Sequence, residues 1–208
     1  MSPDCPACGK TLLHPPLVMA TCPSCKKLIH CRTDLRKQTV YLTSRGATDL
    51  DDLLAVTPKQ KTENLRLKQQ WQDTYDSIQA KLGHYPLDSD VYWWALNAES
   101  MYQSKRGDWH GYALTFLTKG GIKLDRKKYE SAIRCLAWTL TYLAICDSSS
   151  PDLVTALNWL NLAKDKLQIN TTELRTLFLK YGIEAIPRTK PGYSIGPVWD
   201  TIEPYVVP

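Results

Sequence analysis

Four cysteines fall into two pairs of one spacing, Cys5-Pro6-Ala7-Cys8 and Cys22-Pro23-Ser24-Cys25. Two intervening residues let a tight turn aim both sulfurs of a pair at one point. Four thiolates from two such knuckles suit a single tetrahedral zinc ion. A shell of four cysteines leaves no position for water or substrate, so the expected role is structural and not catalytic. His30 and Cys31 lie just past the second pair and are rival ligands. His14 sits between the knuckles and reads as an exposed loop histidine.

The elements that must hold these sulfurs are short. Gly9 follows the first knuckle and can take positive φ at no steric cost, whereas Lys26 stands at the equivalent place after the second. A loop with His14-Pro15-Pro16 leads to a strand over Leu17–Thr21. Further strands are expected at Leu28–Thr33 and Thr39–Thr43. Knuckles joined to short antiparallel strands describe a zinc ribbon over residues 1–46. So small a module has little core, which couples its folding to the metal.

This stretch resembles the zinc-ribbon start of uncharacterised proteins from phages, prophages and bacterial genomes. The residues carrying the resemblance are Cys5-Pro6-Ala7-Cys8-Gly9, Pro15-Pro16, Cys22-Pro23-Ser24-Cys25, Ile29-His30-Cys31-Arg32-Thr33 and Tyr41-Leu42-Thr43. The chain departs from that pattern at Lys26, where a glycine is usual. It departs again at Leu17-Val18-Met19-Ala20, where basic residues usually run. The resemblance covers about a quarter of the chain and implies fold and metal without a settled function.

The formal charge of +5 is concentrated at this end. Lys10, Lys26, Lys27, Arg32, Arg36, Lys37 and Arg45 face only Asp4 and Asp34 through residue 48; beyond it acids and bases balance. Four thiolates around a divalent ion subtract about two charges, leaving a modest basic surface. Lys26, Lys27, Arg32, Arg36, Lys37 and Arg45 are therefore the candidate phosphate contacts of a nucleic-acid-binding reading.

The rest is read as mainly α. Residues 47–57 form an acidic join or short helix suited to packing on the basic ribbon. Thr57-Pro58 opens a helix running to about Leu82, where Gly83 stops it. Further helices are expected from Val91 to about Ser104, from Trp109 to Thr118 with Gly120-Gly121 as its stop, and from near Asp125 to Cys146. Two more follow, one from Ser150-Pro151 to Leu167 and one from an Asn170/Glu173 capping box to Gly182. No sheet is expected over residues 58–186, which are read as an irregular helical bundle. Tyr112, Ala113, Leu117, Tyr129, Ala132, Leu136 and Leu140 give one helical hairpin there a resemblance to a tetratricopeptide unit. Adjacent rings such as Tyr92-Trp93-Trp94 point different ways on a helix, so core packing on two sides explains them. Residues 187–208 hold five prolines among apolar residues, which suits an extended tail lying on the bundle with one helical turn near Trp199–Glu203.

The 7 Trp and 11 Tyr are ample for a core. No run of about 20 apolar residues suggests a membrane span. The start Met1-Ser2-Pro3-Asp4-Cys5 lacks a secretion-signal pattern, and cysteines at metal spacing suit a reducing, cytoplasmic compartment. The scattered histidines form no catalytic constellation, and no phosphate loop or nucleophile elbow occurs. The leading expectation is a non-enzymatic binding or adaptor protein that acts through contacts with another protein, in a phage-related setting. Nucleic-acid binding through the ribbon is the alternative.

Overall fold

A computed structural model describes residues 2–146, 149–185 and 194–207. Strands β1 (Met19–Thr21), β2 (Leu28–Thr33) and β3 (Thr39–Leu42) form one antiparallel sheet in that order. Ala20 pairs with Ile29, and Cys31 pairs with Tyr41. Among the described residues eight helices follow: α1 (Ser44–Leu54), α2 (Pro58–Leu82), α3 (Asp88–Arg106), α4 (Trp109–Asp125), α5 (Tyr129–Cys146), α6 (Asp152–Leu167), α7 (Thr171–Ala185) and α8 (Gly196–Ile202). A 3₁₀ turn, Glu203–Tyr205, completes the described chain. Two compact units result, Met1–Ala98 and Glu99–Pro208, and the division falls within α3. The expected mainly helical fold with a small N-terminal sheet is what forms.

In the first unit, α1 begins earlier than the acidic run suggested. The Thr43 hydroxyl caps it by accepting from the Gly46 amide. The helix packs back on the sheet through β2 and β3, and the Arg32 Nε lies 3.2 Å from Asp51. Thr57 and Gln60 close a reciprocal capping box at the start of α2, worth about 1 kcal/mol. Gly83 ends α2 in the left-handed conformation at φ 70°. Over its 25 residues α2 buries none fully. Its half-buried side includes Gln70, which donates to the Ala95 carbonyl, and Trp71 stacked on Tyr75.

In the second unit, α5 is the central helix, packed by α4, α6, α7 and α8. Its core side chains include Ile133, Leu136, Leu140, Tyr142 and Leu143, each withdrawn from solvent. The sequence reading ended a helix at Gly120-Gly121, but α4 runs through both glycines to Asp125. A Cβ on Gly120 would stand 3.0 Å from Leu136 Cδ2. The glycine therefore lets α4 approach α5 closely and does not reverse the chain. Reversal falls to Lys127, at φ 57°, so α5 starts at Tyr129 and not near Asp125. Likewise α7 continues past Gly182 to Ala185, whose carbonyl accepts from the Tyr142 hydroxyl at 3.1 Å.

The C-terminal residues fold onto this bundle with more helix than expected. Ile195, Val198, Trp199, Ile202 and Val206 are buried, and Trp199 packs against Phe178 with ring centroids 5.3 Å apart. The expected extended stretch around Pro187, Pro191 and Tyr193, and Pro208, lies outside the described residues. Among the described residues, no strand occurs from 58 onward. No helix there is long and apolar enough to cross a membrane.

Candidate metal centre

The two knuckles share one hydrogen-bonding plan. The Cys5 amide donates to the Lys10 carbonyl at 2.8 Å and the Gly9 amide to the Cys5 carbonyl at 2.9 Å. Seventeen positions on, the Cys22 amide donates to the Lys27 carbonyl at 2.9 Å and the Lys26 amide to the Cys22 carbonyl at 3.0 Å. Each turn closes through a left-handed residue, Gly9 at φ 71° and Lys26 at φ 62°. An L-residue is strained there by about 1–2 kcal/mol. The Lys26 side chain bends back to donate to the Pro23 carbonyl at 2.8 Å.

The sulfurs of Cys5, Cys8, Cys22 and Cys25 all lie within 4.8 Å of one another. Across the knuckles, Cys5 Sγ is 3.9 Å from Cys25 Sγ, and Cys8 Sγ is 3.9 Å from Cys22 Sγ. A disulfide needs about 2.05 Å, so these are thiols. Four sulfurs about 2.3 Å from a central ion in a tetrahedron stand about 3.8 Å apart. The cluster is thus close enough to hold one metal ion, and the residues fit it. Cys5 and Cys22 are buried with Leu12 and Ile29, and Ala7, Cys25 and Tyr41 close over this small core.

The cluster also distributes protons unequally. The Cys25 amide, then that of Ser24, points at the Cys22 sulfur and lowers its pKa to about 6 against the penalty of burial. For Cys8 the Lys10 amide pulls the same way, yet desolvation and the neighbouring sulfurs push it up to about 11. Four adjacent thiolates repel, and a divalent ion removes that obstacle.

The rival ligands are elsewhere. His30 is buried, its Nε2 is 3.1 Å from the Ser44 hydroxyl, and its ring meets Tyr92 edge-on at 5.9 Å. Its Nδ1 is buried and has no hydrogen-bond partner among the described residues. Burial, with the Arg32 charge adding, lowers the His30 pKa to about 4, so the ring is neutral. Neither His14, His30 nor Cys31 joins the sulfur cluster.

The basic candidates divide. Arg32 is three-quarters withdrawn from solvent and held by Asp51, with the Tyr92 hydroxyl also against it. Arg45 stands 4.0 Å from Asp49 in an exposed pair that contributes little. Lys26 is occupied with its own knuckle. Lys27, Arg36 and Lys37 are exposed, the last two in a turn where the Asp34 carboxylate accepts from the Arg36 and Gln38 amides. Sequence reasoning missed a buried amine in the second unit. Lys119 donates to the Ser100 hydroxyl at 3.1 Å, lies 4.4 Å from the Phe116 ring centre, and has its pKa lowered by burial to about 8. No spacing in the sequence marks it, because burial alone makes it unusual.

Comparisons with family models, with curated proteins and with solved structures give no match to this chain. What can be stated of its class comes from its own residues: a mainly helical protein whose N-terminal three-stranded sheet carries a four-cysteine cluster able to hold a metal ion.

Proposed function

We propose that the cluster holds one structural zinc ion and that the protein is a non-enzymatic binding or adaptor protein. All-sulfur donors favour a soft ion, and a complete shell offers no open site for chemistry. The observation that carries the choice of protein over nucleic acid is how the basic residues are used. Arg32 is committed to Asp51, and Lys26 to the Pro23 carbonyl. Exposed apolar side chains in the same unit, including Leu35, Val56, Leu65, Tyr85, Leu87 and Trp94, supply the kind of surface on which protein contacts are built. The phage-related setting belongs to this proposal through the resemblance of the knuckles.

Metal analysis should find one zinc per chain. The zinc-loaded chain is then titrated with labelled single- and double-stranded DNA and RNA at two salt concentrations. Absence of binding at low salt supports protein contacts. Binding that falls steeply with salt overturns that reading in favour of phosphate contacts by Lys27, Arg36 and Lys37.

A further inference from the structure

The four sulfurs are alike as ligands and unequal in access. Cys8 is exposed and Cys25 is half-buried, while Cys5 and Cys22 are 2% and 1% exposed. Each accessible sulfur stands 3.9 Å from a buried one of the other knuckle, Cys8 from Cys22 and Cys25 from Cys5. A cysteine is oxidised readily when it is a thiolate, open to solvent and beside a second sulfur that can resolve the product. A bound zinc ion keeps its sulfur ligands deprotonated, so Cys8 meets all three conditions. Cys146 in the C-terminal unit is also exposed, but it lies outside the sulfur cluster. What Cys8 and Cys22 hold together is small. Cys5 and Cys22 are two of the four buried residues around the sheet.

We propose that Cys8 is the site at which a hydroperoxide switches off the N-terminal unit, with Cys22 as the resolving partner. This rests on the zinc reading of the cluster. The Cys8 thiolate attacks the outer oxygen of the hydroperoxide. An S–O bond forms, the O–O bond breaks, and the released alkoxide or hydroxide takes a proton from solvent. The Cys22 thiolate then attacks the Cys8 sulfur. An S–S bond forms as the S–O bond breaks, and hydroxide leaves and is protonated to water. Two electrons have passed from two sulfurs to the peroxide. Only Cys5 and Cys25 remain as ligands, too few to hold the ion. The bridge joins the two knuckles and closes neither of them. With the ion lost, the sheet loosens, and the contact surface of that unit goes with it. A thiol reductant and fresh zinc reverse the change, because a disulfide is a reversible state of cysteine.

The full chain is loaded with zinc and treated with hydrogen peroxide beside a chromogenic zinc indicator. Alkylation and peptide mass spectrometry map the disulfides at successive times. Zinc should be released in step with a disulfide between Cys8 and Cys22. Hydrogen-exchange protection should fall across β1–β3 and remain across α5, and dithiothreitol with added zinc should restore it. Cys8→His keeps a zinc ligand in place of the oxidisable one and should slow release about tenfold or more. Cys146→Ser should release zinc at the wild-type rate. A chain that takes up no zinc overturns the metal reading and this proposal with it. Zinc retained while Cys146 is oxidised overturns this proposal alone. So does a first disulfide within one knuckle, or release from Cys8→His at the wild-type rate. Should Cys8→His bind no zinc, the disulfide map of the unaltered chain decides by itself.

Discussion

Around the N-terminal sheet the buried cluster consists of Cys5, Leu12, Cys22 and Ile29, and two of those four are members of the sulfur cluster. In the C-terminal unit every residue of α5 from Ala132 to Leu143 is buried except Arg134. The first arrangement leaves little apolar surface to offset chain entropy, and the zinc ion proposed for the cluster would supply what packing does not. The second has packing to spare, and it accommodates a buried lysine. With that ion bound, one chain would use two stabilising strategies that respond to different insults.

The sharpest way to break this contrast is Cys22→Ser or a strong chelator. Zinc binding by such modules is worth about 10–16 kcal/mol, so hydrogen-exchange protection across β1–β3 should vanish while α5 stays protected. Simultaneous loss in both would show that the metal holds the whole chain. The reverse test is Leu140→Ala, at a position with no exposure. It should cost about 2–5 kcal/mol in the urea unfolding of the C-terminal unit and leave the metal content at its wild-type value.

Acidity separates the two further. His30 has a folded-state pKa of about 4 against an unfolded value near 6.5, so the unfolded chain takes up the proton first. The stabilising contribution of the neutral ring is complete above pH 6.5 and is lost as pH falls towards 4, by roughly 3 kcal/mol in all. Urea titrations of wild type and His30→Gln across that window should differ in slope, since cysteine protonation affects both alike. Parallel slopes would mean that the ring takes up its proton in the fold as readily as in the unfolded chain. The smallest effect distinguishes the knuckles themselves. Lys26→Gly should stabilise the second knuckle by about 1 kcal/mol, whereas Gly9→Ala should weaken the first by a similar amount. The readout is the chelator concentration needed to strip half the metal, which should rise for one variant and fall for the other.

Local chemistry made the metal centre readable in the sequence. Two residues between cysteines dictate a turn, and the pairing of knuckles follows from the repeat. Helix starts marked by Thr57-Pro58 and by Asn170 with Glu173 were legible for the same reason, since their caps form within three residues. Gly120 misled because glycine has two uses, ending a helix or admitting a neighbour, and only Leu136 on the facing helix decides between them. Arg32 reads in the sequence as a phosphate contact, and its pairing with Asp51, 19 residues on, is visible only in the fold. The hydrogen bonds of Asn161 to Tyr205 and of Lys164 to Val207 had no signature at all, because these partners lie more than 40 positions away.

The burial of Trp199 and Ile202 on the helical bundle sets an order on biosynthesis. All four cysteines of the cluster precede the helices in the chain, so they emerge before the helical units and can take up the proposed ion first. Helix α7, whose Phe178 packs on Trp199, ends about 20 residues ahead of Val206, which at about 5–20 residues per second leaves that apolar side uncovered for roughly 1–4 s. The nascent chain is thus most vulnerable to aggregation between the completion of α7 and that of α8. A stop codon shortly after α7 would release a protein with a sound metal module and an unfinished core.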